Sequence, residues 1–448
     1  MARRVNKSHG GGGTVSGSGG PVAFINARLL DPASGLDTQG ALLIEDGLIA
    51  DFGPRLFGDG IPDGLEVVDC SGQVLVPGLV DMRVQLREPG QEHKETLATA
   101  SAAAAAGGVT TLACLPNTNP VLDEVSLIEF VERRAGEVGI VNIHPYAALT
   151  KGLNGKDLTE MGLLAAAGAV GFTDATKTVG DSVVMRRALS YASAFGLLIV
   201  QHAEEPGLAE GGAMNEGEIS TRLGLTGIPA AAEAMLLERD LRLVELTDGR
   251  YHAAHVSTAA GVDAIRRAKA KGLNVTCDTA PPYFALNELA VGDYRTFAKV
   301  SPPLRSEEDR QAIVEGLKDG TIDAIASDHS PHDQDSKRLP FAQAEFGIVG
   351  LETLLPISLE LYHNGHLSLP DLIGLLTYRP ADVLSLPAGR IKTGAAADLV
   401  LIDVDQPWQI QADSFRSKSK NTPFDGRPAQ GRAMRTVVNG RTVFDFAA

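Results

Sequence analysis

The 448-residue chain is long enough for one large core plus an accessory domain, and its 44% hydrophobic and 21% charged content is ordinary for a soluble globular protein. A formal net charge of -16 with no basic block excludes a nucleic-acid surface or an anionic membrane as partner. Cys70, Cys114 and Cys277 are isolated and lack CxxC spacing, which excludes a disulfide frame or a zinc knuckle and fits a reduced, cytoplasmic protein.

Residues 1–20, "MARRVNKSHGGGGTVSGSGG", read as a flexible tail, since no apolar run follows the opening arginines as a secretory signal would require. Residues 22–75 hold short strand-like runs, "VAFINARLL" and "ALLIEDGLIADFG". The same texture returns in "DLVLIDVD" (398–405) and in "RTVVNGRTVFDF" (435–446), whose Asn-Gly pair predicts a hairpin. The simplest reading is a small β domain, residues 21–76 plus 385–448, with the middle of the chain, 77–384, inserted.

That middle alternates. Strand-length apolar runs fall at 79–86, 109–115, 140–147, 168–173, 197–203, 250–256, 273–279 and 322–328, separated by helical sequence such as "SVVMRRALSYASAFG". Eight such units predict an α/β chain with a (β/α)8 barrel; an open doubly wound sheet alternates similarly, but no GxGxxG follows the first strand. The apolar window Thr96–Pro116 is broken by Gly107 and Gly108 and reads as helix then strand, not as a membrane span.

Barrels of this kind keep their chemistry where strands end and loops begin. The polar residues there are Arg83, Gln85 and Arg87 on the first strand and Asn117 after the second. Asp174 and Ala175 close the fourth, His202 the fifth, His255 the sixth and Asp328 the eighth. Two imidazoles, a carboxylate and a water can make a catalytic zinc site. Each residue also has an ordinary structural use: a strand-end histidine in a hydrogen bond, or Asp328 or Ser330 of "SDHSPH" as a helix cap. Convergence of three on one face favours a site.

The motifs "PGLVDMRVQLREPGQEHKET", "LPNTNP", "GFTDAT", "HAEE", "HVST", "SPPLRSEEDR", "SDHSPH", "GIVGLET" and "SKSKNTPF" follow one another as in dihydroorotases, and from about residue 22 onward the chain resembles that family of the amidohydrolase superfamily. The resemblance implies a metal-holding barrel that interconverts N-carbamoyl-L-aspartate and L-dihydroorotate in pyrimidine synthesis. It implies that His202, His255 and Asp328 hold zinc, with Asp328 also the base for the attacking water. Arg87, Asn117 and His332 would hold the carboxylate of a small-molecule substrate, a guanidinium fork suiting that group.

The resemblance fails at the metal. The family's first-strand His-x-His puts both rings on one side of a strand, but Arg83 and Gln85 stand there. Arginine offers donors only, and about 4 Å from a divalent ion it would cost on the order of 8 kcal/mol at an effective dielectric near 20. Glutamine is a poor zinc ligand. The bridging aspartate falls at Ala175; Asp174 points to the other face, Lys177 lies in a loop, and Ser301 replaces the usual asparagine before "PPLR". A binuclear centre is therefore not expected, only one zinc ion or none. Three readings follow: a non-catalytic subunit partner of aspartate transcarbamoylase, which is favoured; a dihydroorotase using a single zinc on His202, His255 and Asp328; or hydrolysis of another cyclic amide such as a hydantoin, which the retained Arg87, Asn117 and His332 count against. A homo-oligomer is expected in each.

Overall fold

The computed structural model describes residues 20–447, so the expected tail lies, but for its last residue, outside the described residues. One sheet draws on both ends of the chain. Val22–Asp31, Leu36–Glu45, Leu48–Gly53, Glu66–Asp69 and Val74–Pro77 come from the start, and Leu399–Gln409, Pro428–Val438 and Arg441–Asp445 from the end. The two sets meet where Val74–Pro77 runs antiparallel to Leu399–Ile402. Both segments read as unbroken apolar runs because both of their faces are covered. Val74, Val76, Val400 and Ile402 pack towards the main core, while Leu75, Leu399 and Leu401 pack into a second core within the sheet. The period of two explains the split. The Asn-Gly hairpin forms as its sequence predicts, with Asn439 and Gly440 both at positive φ. A side chain at Gly440 would lie 2.5 Å from the Cα of Gly47.

The middle of the chain closes into a barrel of parallel strands. Leu79–Val84, Val109–Cys114 and Asn142–Pro145 form one arc; Leu198–Gln201, Arg250–Ala253, Val275–Thr279 and Ala324–Ile325 form the other. Phe172 bridges the arcs through Ala147 on one side and Ile199 on the other, and His329 closes the ring against Val84. Each predicted strand thus has its counterpart, but the fourth shrinks to bridging at Phe172. There Gly171 packs so tightly that an added Cβ would meet the Tyr146 ring at 2.9 Å.

The apolar window 96–116 resolves as predicted into the helix Leu97–Ala106 and the strand Val109–Cys114. Thr96 caps the helix, its hydroxyl accepting from the Thr99 N–H at 3.1 Å. Alanines on its buried face let it sit close to the barrel, and at Gly107 a Cβ would lie 2.1 Å from the Leu351 carbonyl oxygen. No helix among the described residues is long and apolar enough to cross a membrane.

Beside that contact, the Glu352 carboxylate accepts from the backbone N–H groups of Arg416 and Ser417 at 2.7 and 3.1 Å. Burial nonetheless outweighs these bonds and pushes its pKa up to about 7 from 4.5. Because the folded value lies above the unfolded one, stability is full below pH ~4.5 and falls as pH rises towards about 7, by on the order of 3 kcal/mol. Glu352→Gln keeps the acceptor and removes the titration. It is expected to raise the thermal midpoint by a few degrees at pH 8 and to leave it unchanged near pH 4.5, read by scanning fluorimetry at both pH values.

Candidate active site at the barrel mouth

The first strand sends every second side chain into the barrel: Asp81, Arg83, Gln85 and, just past the strand, Arg87, all buried. The Asp81 carboxylate accepts from the N–H groups of Arg83 and Ser327, each at 3.1 Å, and ties the first strand to the eighth. Arg83 is 2% exposed. Its Nε donates to Asp328 Oδ1 at 3.2 Å and its Nη2 to the Ala175 carbonyl at 3.2 Å. Gln85 donates to Ser330 Oγ at 2.7 Å and accepts from Asn117 Nδ2 at 3.0 Å. The two residues at the His-x-His positions thus each bridge three segments of the mouth.

Asp328 Oδ1 also lies 3.2 Å from His255 Nε2, and His255 Nδ1 lies 2.7 Å from Asp278 Oδ1. His252 Nε2 approaches the other oxygen of Asp278 at 3.4 Å. Burial alone would lower the His255 pKa, but the carboxylates of Asp278 and Asp328 outweigh it and push it up to about 9. The ring is therefore an imidazolium at neutral pH. For Asp328, burial is the largest influence and would raise its pKa, yet His255 and Arg83 together hold it below the usual carboxylate range.

Arg87 stands at the rim with φ 61, its Nε donating to the Pro331 carbonyl at 3.1 Å. His332 Nε2 lies 3.1 Å from Arg87 Nη2 and 2.9 Å from the Phe346 carbonyl oxygen, and its Nδ1 lies 3.4 Å from Lys94 Nζ. Burial, together with the cations Arg87, Lys94 and Lys337, pushes the His332 pKa down to about 2, so the ring is neutral. A neutral imidazole cannot accept from two cations while also donating to a carbonyl, so this corner carries more donors than acceptors.

The structure brings together Arg83, His255 and Asp328; Gln85 and Asn117; and Arg87 and His332. The other candidates have partners of their own. His202 Nε2 faces Ser301 Oγ at 3.2 Å and Glu204 Oε2 at 3.4 Å. Ala175, at φ 60 and fully buried, contributes only its carbonyl. The Asp174 carboxylate turns to the backbone N–H of Thr150, at 2.8 Å, and to the Thr150 hydroxyl. Lys177 is exposed, its Nζ 3.4 Å from the Leu153 carbonyl. The helix cap in "SDHSPHDQDSK" is neither Asp328 nor Ser330 but Asp333, which accepts from the Ser336 N–H at 2.9 Å.

Among the described residues no three His, Cys, Asp or Glu side chains are placed to hold a metal ion. Of the expected set of His202, His255 and Asp328, the last two are in direct contact at 3.2 Å. Asp328 is paired with Arg83, both ring nitrogens of His255 face carboxylates, and His202 is bonded elsewhere. Sequence reasoning also missed Asp278 and Glu204. Asp278 carried a usable signal, a carboxylate near the C-terminal end of a predicted barrel strand.

The match to known proteins is extensive. The dihydro-orotase-like family model covers residues 72–260. A dihydroorotase of Wolbachia sp. subsp. Brugia malayi is 52% identical over 425 residues, covering 94% of this chain and 96% of that protein. One from Geobacter sp. (strain M21) is 46% identical over 417 residues, covering 93% and 97%. The chain belongs to the dihydroorotase family. The L-hydantoinase of Arthrobacter aurescens superposes with a TM-score of 0.84 at 27% identity, over 95% of this chain and 96% of that one. The barrel with its β-rich companion is thus the architecture of the wider group.

Zinc is the metal this family implies, and the residues of this family member do not fit a pair of ions. Arg83 presents donors and a permanent positive charge where two lone pairs are needed. Ala175 supplies a methyl group in place of a bridging oxygen. Both ring nitrogens of His255 face carboxylates, Asp278 at 2.7 Å and Asp328 at 3.2 Å.

Proposed function

We propose that this chain is a dihydroorotase homologue of pyrimidine synthesis that does not turn over its substrate by a binuclear mechanism and acts as a subunit partner of aspartate transcarbamoylase. The observation that carries the reading is the Arg83 guanidinium, bonded to Asp328 and to the Ala175 carbonyl in the space a first ion would need. Asp328, the base that the family resemblance assigns to an attacking water, is held ionised but occupied. The donor-rich corner of Arg87, Lys94 and His332, with Asn117 beside Gln85, remains suited to the carboxylate of N-carbamoyl-L-aspartate or L-dihydroorotate. The mouth therefore keeps a binding surface without the ion that would polarise the amide.

The second reading is an active enzyme with a single zinc on His202, His255 and Asp328, located in the cytoplasm and homo-oligomeric like the first. It is favoured by relatives at about half identity that carry the dihydroorotase name. A dihydroorotase assay with metal content measured on the same sample, run with and without aspartate transcarbamoylase, separates the two. The partner reading expects substoichiometric zinc, negligible turnover and co-elution of the two proteins. Full-rate turnover by the isolated chain with one zinc bound would establish the enzyme.

A further inference from the structure

The residues that displaced the metal ligands are not idle. Arg83 joins the first strand to the fourth through the Ala175 carbonyl and to the eighth through Asp328. Gln85 joins the first strand to the loop after the second through Asn117 and to the eighth through Ser330. The chain of contacts continues from Asp328 to His255 on the sixth strand and to Asp278 on the seventh. Six of the eight barrel positions are thereby linked across a mouth whose linking groups are nearly all buried. Without Arg83, the carboxylates of Asp278 and Asp328 would share the one His255 ring between them, leaving an excess of buried negative charge that a folded protein does not tolerate cheaply.

We propose that Arg83 is a built-in replacement for the metal as a structural cation: it neutralises Asp328 and cross-links the barrel mouth, so that folding of this chain is independent of any divalent ion. Three physical features suit arginine to the task. A guanidinium's planar fork offers several donors in fixed directions, its charge is delocalised, and it is less strongly hydrated than a lysine ammonium. Unlike an ion, it cannot dissociate. The inference goes beyond the non-catalytic reading because it concerns stability, and a protein whose fold ignores chelators could still be assayed for turnover independently.

The test is thermal unfolding of the full chain, at one scan rate, after dialysis against EDTA and after addition of zinc. The midpoint is expected to be the same in both, within about 1 °C. Arg83→Met is expected to lower it by about 5 °C or more, and Asp328→Asn added to Arg83→Met to recover part of the loss by removing the excess buried negative charge. Arg83→Lys, which keeps the charge but not the fork, should fall between. A midpoint that drops with EDTA overturns the proposal, as does an Arg83→Met protein as stable as the parent. If Arg83→Met does not fold, recovery of folded protein by the double variant supports the proposal, and failure of both overturns it.

Discussion

Replacing Arg83→His, Gln85→His and Ala175→Asp together is expected to bring zinc content to about one ion per chain or more, against substoichiometric zinc in the unmodified protein. The two side chains at 83 and 85 already point into the mouth, so imidazoles there would face the same space. Removal of the guanidinium frees Asp328 from its 3.2 Å pair. The third change also suits the backbone, since Ala175 sits at φ 60, a conformation that aspartate adopts more readily than alanine. With two histidines and two carboxylates in reach, a tetrahedral site has enough ligands. The single change Ala175→Asp should not raise zinc content, because Arg83 would remain and would pair with the new carboxylate. Elemental analysis after gel filtration reads both results. A triple variant that folds yet holds no more zinc than the parent would show that more than these three positions has been lost.

Glu233→Ala is expected to destabilise the protein by about 3–5 kcal/mol, the range for stranding several donors around a deleted buried carboxylate. Glu233 lies on the helix Ala230–Thr247 and is fully buried. Its carboxylate accepts from the N–H groups of Ser257 and Thr258 at 3.1 and 3.0 Å, from Thr258 Oγ1 at 2.7 Å and from the Ser257 hydroxyl. Burial raises its pKa, with Arg305 and these hydroxyls opposing. Gly261 is part of the same fit, since a Cβ there would lie 2.3 Å from Glu233 Oε1. The segment so held begins two residues after His255, so the loss should also loosen that ring. Glu233→Gln keeps one acceptor but turns an amide N–H2 towards donors, and an intermediate loss is expected. Urea denaturation of the three proteins ranks them; equal midpoints for parent and Glu233→Ala would refute the assignment.

Much of the architecture was legible because it rests on local periodicity. Alternating or continuous apolar runs of strand length, set between alanine-rich helical segments, mark the strands of a strand-helix repeat whatever the rest of the chain does. Val400 and Ile402 packing one way and Leu399 and Leu401 the other is the same rule with both faces covered. The fourth strand was read at 168–173, and there the pairing narrows to bridges at Phe172, beside a tightly packed Gly171.

The site divides along the same line. Set against the family motifs the chain resembles, the letters alone lead to the expectation of arginine and glutamine at the His-x-His positions and alanine at the bridging one, and a guanidinium or a methyl group cannot ligate zinc in any fold. What those side chains do instead was a tertiary matter. The partners of Arg83 lie 92 and 245 residues away along the chain, and no local pattern encodes such pairs. The same holds for Asp278, whose neighbours His252 and His255 approach only once the sixth and seventh strands stand side by side, and for His202, which closure of the barrel leaves bonded to Ser301. Chemistry that depends on what an atom is can be read from the letters; chemistry that depends on what it meets waits for the chain to close.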